Sequence, residues 1–512
     1  MEMQQLEFLK HLWRSKRHVY LDHNATTSVS RHVRRKMSRV LKHCYGNPSA
    51  LYEIGRKSAE VMEEARQHVA DAIHAELGEI YFTGCATESN NAVLKAVSNH
   101  FFPKKKKIIS TPIEHPSVMR TLEFLQTQGI VVAYCPVDRQ GRVLPDELEK
   151  MIDGDTFLIC CMLANNEIGT IQDIAAITEI AAQHGVLVLA DCVQALGKIP
   201  IDVHGWGIDY ATFSAHKLYG PKGAGALYVK SGSPFAPFMH GGHQESGMRA
   251  GTESIHNIAG FGAACRDVGK LLAHAEPIRA LKRQLIRGLQ EIKPDCVVNS
   301  PEADCLPNTL SITFPNVNSA ELLAALDQRG IAVSAGSACS SHDDRPSSTL
   351  KAIGLSDQAA KETIRVSFGC DTSARDIRYT LKVFRDHFAG RTLYVNMIEP
   401  AQLNEAVLFN KHTYVLDVRS QSLRRKFKSL SNAHEASFAS LEKYLRQLPK
   451  DKHIVVACQG GGLSYIAAYY LRSKGFERVS NLRGGVSGWK KRHGDLYQKH
   501  AGQNVTVLKP AG

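Results

Sequence analysis

The chain has 512 residues, 43% apolar and 22% charged, which excludes wholesale disorder and, at ~150 residues per domain, suffices for about three units. Its 63 lysines and arginines against 50 aspartates and glutamates give +13, a moderate excess for this length rather than the dense patch of a dedicated nucleic-acid binder. No stretch reaches ~18 uninterrupted apolar residues, so no membrane span is expected. Twelve cysteines without a Cys-x-x-Cys pair or regular Cys/His spacing support neither a disulfide framework nor a metal site.

Residues 1–18 form an N-terminal extension, predicted helical; their early acidic residue and lack of a sustained apolar run do not read as a secretory signal, and the chain is expected to be cytoplasmic. Residues 19–262 alternate buried runs with amphipathic helices. Phe157–Met162 and Val186–Ala190 read as strands buried on both faces, and residues 58–75 as a helix with Val61, Ala65, Val69 and Ile73 on one stripe. This pattern implies a large, mainly parallel sheet covered by helices. Residues 263–390 predict a smaller α+β domain, with helices at Ile278–Ile292 and Ala320–Arg329 and strands at Thr309–Phe314 and Ile364–Phe368. Residues 391–400 read as a linker. A fresh α/β pattern follows over 401–497, with strands at Tyr414–Val418 and Ile454–Ala457, and 498–512 read as a tail. The basic runs Lys104–Lys107 and Arg424–Lys426 read as solvated loops, with an acidic partner or tRNA as the alternative.

The segment from Ala211 to Gly223 places Lys217 on a turn after a strand, beside Ser214 and His216. Upstream, Asp191 and Gln194 stand at the C-terminal end of a buried strand, where open parallel sheets bind ligands. A carboxylate buried there needs a cation. The pyridinium nitrogen of pyridoxal phosphate supplies one, with a lysine as the Schiff-base partner.

With these residues, the first 390 positions resemble a cysteine desulfurase of the class V aminotransferase group, which has the type-I pyridoxal-phosphate fold. The matching motifs begin with Tyr20–Thr27, Gly46–Ser49, Gly55-Arg56, Ala86–Asn91, Glu114-His115 and Asn165–Gly169. They continue with Asp191 and Gln194, Ser214–Lys217, Gly247–Thr252, Gly336–Cys339 and Arg365–Gly369. The resemblance implies that Lys217 carries the cofactor and later moves protons, that Asp191 binds the pyridinium nitrogen, and that Gln194 bonds the phenolate oxygen. His115 would stack on the ring and act as acid or base. Ala86 and Thr87, at a helix N-terminus, would hold the phosphate with Ser214 and His216. Thr252 would reach the phosphate of a neighbouring subunit in a homodimer, and Asn166 and Arg365 would grip the substrate carboxylate, Arg365 by a bidentate fork. Three departures, His23 for Asn, Tyr52 for His and Gly84-Cys85 for Ser-Gly, read as tuning of the pocket, and Cys85 as structural.

Cys339 lies among small, polar residues, in a longer loop like that of the iron–sulfur-cluster type of the family. There it would take the substrate sulfur as a thiolate, giving alanine and a persulfide. Residues from 400 on resemble a single rhodanese-like domain through Tyr414–Arg419, Val455–Ser464, Gly475-Phe476, Val479, Asn481–Gly485 and Trp489. Cys458, before three glycines and a helix start, would sit in an anion-binding nest and receive sulfur from Cys339. Leu463 stands where thiosulfate-using members carry Arg, which predicts poor use of thiosulfate. The expected partners are L-cysteine and a sulfur-acceptor protein or small thiol, without direct nucleic-acid or membrane binding. Selenocysteine lyase activity and a rhodanese-like module used only for docking are the alternatives.

Overall fold

A computed structural model describes residues 17–335, 347–390, 395–494, 497 and 502–508. Among these the chain divides into two compact units. The first spans Val19–Ser319 and Ala332–Leu381; the second includes Ala320–Ile331 and the residues from Lys382 onward.

The first unit is built on seven strands: β1 (Ile80–Thr83), β2 (Lys107–Ser110), β3 (Val131–Tyr134), β4 (Thr156–Met162), β5 (Leu187–Asp191), β6 (Tyr210–Ser214) and β7 (Gly225–Val229). Their order is β1-β7-β6-β5-β4-β2-β3. β7 alone runs antiparallel to its neighbours, between β1 and β6. β4 through β6 are buried almost without interruption, because both faces are covered. Ile159, Cys161 and Val188 face one core with Met62, Ala65, Val69 and Phe261. Leu158, Cys160 and Leu189 face another with Val93, Leu94, Val118 and Leu122.

The first core is closed by α1 (Glu53–Ile73) and, later in the chain, Ile255–Arg266; the second by α2 (Ala86–Phe101) and α3 (Pro116–Gln126). α1 begins five residues before the predicted helix start at residue 58 and stops at His74, which is left-handed at φ 59°. Of the predicted stripe Val61 is only partly buried and Met62 takes the inward place beside it, since the inward face also takes in Gly55 and Ser58. The smaller sheet of this unit joins β8 (Val297–Val298), β9 (Thr309–Thr313) and β10 (Thr363–Ser367) antiparallel, in the order β10-β9-β8.

The second unit holds a parallel six-stranded sheet: β11 (Asn396–Ile398), β12 (Thr413–Asp417), β13 (Ala433–Glu435), β14 (His453–Ala457), β15 (Val479–Leu482) and β16 (Thr506–Val507), in the order β11-β15-β14-β12-β13-β16. Part of the segment read as linker is therefore the edge strand β11, and part of the segment read as tail is the opposite edge strand β16. Both are short and paired only to strands distant in sequence, so local turn signals do not show them. The helix Ser319–Gln328 falls largely in this unit, and Gln328 donates to the Tyr465 hydroxyl at 2.5 Å. α4 (Gln421–Lys426), α5 (Gly462–Ser473) and α6 (Gly485–Arg492) complete the module. Trp489 is buried in it, its indole N–H donating to the Leu403 carbonyl at 2.7 Å.

Of the first basic run, residues 104–106 are turn and loop as expected, while Lys107 opens β2 and pairs with Asp153 at 2.7 Å. Arg424–Lys426 are instead the last turn of α4. The predicted helix in residues 1–16 lies outside the described residues. No described helix is long and apolar enough to cross a membrane.

The α1 crossing with Ile255–Arg266 depends on Gly262, where a Cβ would lie 2.4 Å from Ala65 Cα; at Gly269 a Cβ meets nothing within 4 Å. Gly262→Ala is expected to lower stability by about 1–3 kcal/mol, whereas Gly269→Ala, in a helix, is expected to raise it by about 0.4–1 kcal/mol. Denaturant midpoints of the two variants check the contrast.

Candidate active site

The parallel strands end on a shared cavity of ≈ 270 Å³, lined by residues from every segment the sequence singled out for the cofactor except Thr252. Asp191 closes β5, Ser214 closes β6, Lys217 ends the turn after it, and His115 caps α3. Ala86 and Thr87, Asn166, Gln194, His216 and Arg365 line the same space.

Asp191 is 5% exposed. One carboxylate oxygen accepts from the Asn90 amide at 3.0 Å and the other from the Val193 N–H at 3.1 Å. These are neutral donors, and no cation pairs with Asp191 among the described residues, so the carboxylate is suited to a protonated ring nitrogen as its countercharge. At the other end of the cavity, α2 starts from Cys85 without a side-chain cap, leaving its first N–H groups for an anion. His216 beside this cradle is pushed down to about 4 by burial and then by the charges of Lys217, Lys222 and Lys198, and its Nδ1 meets the Thr26 hydroxyl at 3.1 Å. The residues present thus fit both poles of pyridoxal phosphate.

His115 is set by a relay of neutral hydrogen bonds. Thr212 donates to Asn90, Asn90 to Ser117, and the Ser117 hydroxyl meets His115 Nδ1 at 2.8 Å. The Ser117 N–H also donates to Nδ1, which assigns the ring proton to Nε2. Burial holds His115 below its ordinary range; Asp191 opposes that shift and Lys217 adds to it.

Lys217 Nζ donates to the carbonyls of Asn24 and Ala25 at 2.6 and 2.8 Å. Gln194 donates to the same Asn24 carbonyl at 3.0 Å and accepts from Lys198 at 2.6 Å. Arg365, 2% exposed, spends one nitrogen on Asp22 (2.7 Å) and one on the Asn166 carbonyl (3.1 Å), while its Nε is buried with no partner among the described residues.

Asn24, Asn90, Ser117 and Lys198 were not singled out, although the first two lie inside the matched motifs. Their signal is tertiary: each acts by fixing another site residue. Thr252 is exposed and lines a separate cavity of ≈ 300 Å³ with Tyr45, Gly46 and Asn47. Of the three departures, Cys85 lines the cofactor cavity. His23 is buried against Asp371 at 3.0 Å, and Tyr52 is 59% exposed. Cys339 lies outside the described residues.

In the second unit Cys458 follows β14 and is 4% exposed. Its Sγ accepts from the Gly461 N–H and the Ser464 hydroxyl, each at 3.2 Å. Gly461 has φ +90°, and a Cβ on Gly485 would stand 2.2 Å from the Cys458 carbonyl. The loop therefore depends on glycine at both places. Leu463 packs against the apolar core. The neighbouring Arg419 is buried in an ion pair with Asp417 at 2.7 Å and donates to Gln459 at 2.8 Å. The described cysteines are all free, and no described cluster of His, Cys, Asp or Glu could hold a metal.

Residues 19–379 match the aminotransferase class-V family and residues 399–492 the rhodanese-like domain. The chain belongs to the aminotransferase class-V family and carries a rhodanese-like domain after it. It is 41% identical over 369 residues to the cysteine desulfurase IscS of Dictyoglomus turgidum, covering 72% of this chain and 94% of that protein. Over 371 residues it is 41% identical to the cysteine desulfurase IscS of Methanosarcina thermophila, covering 71% of this chain and 90% of that protein. Among solved structures it resembles a NifS-like protein with TM-score 0.70 and 38% identity, covering 73% of this chain and 100% of that one. It also resembles SspA in complex with cysteine, with TM-score 0.62 and 34% identity, covering 69% of this chain and 99% of that one. Pyridoxal phosphate is the cofactor of this family and of this chain.

Glu114, beside His115, is pushed up to about 8, chiefly by burial and further by Asp191, against bonds from Met162 N–H and Thr111. Between the ordinary value of 4.5 and about 8 the folded chain keeps a proton that the unfolded chain has lost, so this group lowers stability as pH rises through that window. Glu114→Gln keeps an acceptor oxygen and has no proton to lose. Its urea midpoint is expected to fall less than the parent's from about pH 5 to 8.

Proposed function

We propose that the chain is a cysteine desulfurase that converts L-cysteine to L-alanine, leaving the sulfur as a persulfide on Cys339 and passing it to Cys458. The observation that carries this reading is the gathering of Lys217, Asp191, His115 and Arg365 around one cavity at the strand ends, joined to Cys339 in its matching motif. The cysteine desulfurase relatives and the cysteine-bound structural neighbour support the same substrate.

Pyridoxal phosphate, when bound, supplies an electron sink for the charge left on the substrate Cα. Lys217 Nζ anchors it and then takes the Cα proton. Asp191 would hold the ring nitrogen protonated. Gln194, turned by Lys198, would present its amide to the phenolate oxygen, and Ala86, Thr87, Ser214 and His216 would hold the phosphate. Arg365 and Asn166 would orient the substrate carboxylate; with both terminal nitrogens of Arg365 engaged by Asp22 and Asn166, its Nε, without a partner among the described residues, is the donor suited to that task. His115, neutral and protonated on Nε2, would cover the ring face and exchange a proton with the reacting group.

The Cys339 thiolate attacks the substrate sulfur. The S–S bond forms as the C–S bond breaks, its electron pair stays with the carbon, and protonation of that carbon gives alanine. Cys458 thiolate then attacks the outer sulfur of the Cys339 persulfide, and Cys339 leaves as a thiolate. Both steps balance without an external oxidant, and fusion in one chain raises the local concentration of donor and acceptor. The chain is read as a homodimer: Thr252 lines a cavity apart from the cofactor site, Tyr45 in the same cavity is 75% exposed, and Leu51, close to Tyr45 in sequence, is 88% exposed.

Cys339→Ser is expected to bind the cofactor and cysteine, seen as a visible-absorbance change, yet release no sulfide with a reductant. Full turnover refutes the assignment. In the parent, mass spectrometry after cysteine addition is expected to find persulfide on Cys458; a loaded Cys339 beside an unmodified Cys458 refutes the relay. Thiosulfate:cyanide activity is expected to be poor, since Leu463 faces the core and offers no charge to a sulfonate-like oxygen; a robust rate overturns that role for Leu463.

A further inference from the structure

The positive charge of this chain is concentrated in the rhodanese-like module. Residues 401–497 contain 17 lysines and arginines against 7 aspartates and glutamates, which is +10 of the chain's +13. Much of it sits on two elements that adjoin Cys458. α4 starts just after Arg419, α6 starts at Gly485, and Gln459 ties their beginnings together by hydrogen bonds to Arg419 and Ser487, both 2.8 Å. Farther along, Tyr497 bonds the Lys428 carbonyl at 3.0 Å while the Lys490 ammonium lies 5.1 Å over the same ring. The two cationic ends are thus neighbours on one surface.

Arg425, Lys426, Lys428, Lys490, Lys491 and Arg492 are all exposed, and none pairs with an acid among the described residues. Six like charges held together lower stability slightly by repulsion; Lys426 and Lys490 lie over the rings of Phe427 and Tyr497, contacts that leave the charges facing solvent without a countercharge. They complement an anionic surface brought up to the Cys458 loop.

We propose that this surface docks an acidic, thiol-bearing protein that takes sulfur from Cys458; the proposal rests on Cys458 as a sulfur carrier. The sulfur chemistry selects protein over RNA. The outer sulfur of a persulfide passes to a thiolate: the new S–S bond forms on the acceptor, the old one breaks, and Cys458 leaves as a thiolate. An unactivated nucleic acid has neither a thiol to make that attack nor a leaving group for sulfur to displace. Cys458 is also 4% exposed, so an acceptor needs a guiding contact outside the loop to bring its own cysteine into line.

The test uses the full-length holoenzyme and two fluorescent peptides of equal length, each with one central cysteine, one flanked by Asp and Glu and one by Ser and Gly. The acidic peptide is expected to bind on the order of tenfold more tightly at low salt, with the advantage shrinking as ionic strength rises from about 0.05 to about 0.5 M. Reversing Lys490, Lys491 and Arg492 to Glu, or Arg425, Lys426 and Lys428 to Glu, is expected to erase the preference and leave binding of the neutral peptide alone. Equal binding of the two peptides, or a preference that survives both reversals, overturns the proposal. So does displacement of the acidic peptide by an equal concentration of tRNA, which would assign the surface to nucleic acid. Peptide binding is read without sulfur transfer, so a chain that binds the acidic peptide but never loads Cys458 defeats the relay and leaves the docking surface standing.

Discussion

The first unit is organised around a carboxylate that is buried without a cation. Asp191 lies at the end of a strand with both faces covered, where an ionised side chain would be costly if left bare. The protein meets part of that cost with two neutral donors, Asn90 and the Val193 N–H, and among the described residues no cation meets the rest. Asn90 holds this position because Thr212, on the neighbouring strand, donates to its oxygen. The same Asn90 reaches Ser117 and through it His115. One asparagine therefore couples the buried carboxylate of Asp191 to the imidazole of His115.

The sheet was readable because strands buried on both faces must be apolar throughout, as Phe157–Met162 and Val186–Ala190 are. The cavity-lining residues were legible in their motifs because such a cofactor calls for a lysine, an acid and a helix start, and a substrate carboxylate calls for an arginine. Lys198 escaped notice because its position shows only in three dimensions, donating to Gln194 from four residues away while burial and the charges of Lys217 and Arg365 hold it well below its ordinary range. The edge strands Asn396–Ile398 and Thr506–Val507 were missed for a related reason. Their partners are parallel strands far away in sequence, and segments of two or three residues carry too little periodicity to announce them.

The two cysteines proposed to carry sulfur are marked in different ways. Cys339 is marked by its sequence motif among small residues, while Cys458 is marked by hydrogen bonds from Gly461 and Ser464 and by the glycine at 485 that lets backbone pass beside its carbonyl. Ser464 was visible only as the residue after the loop. The fold makes it a fully buried hydroxyl facing sulfur, a second donor besides the backbone that the glycine pattern predicted.

Leu463 has a consequence beyond the choice of donor. With this side chain turned into the core and Arg419 committed to Asp417, the cradle stabilises sulfur by hydrogen bonding alone. Phosphate, sulfate and sulfite would therefore meet the Gly461 N–H and the Ser464 hydroxyl around the sulfur, but not the guanidinium of Arg419. The seat is selective through a charge withheld from it.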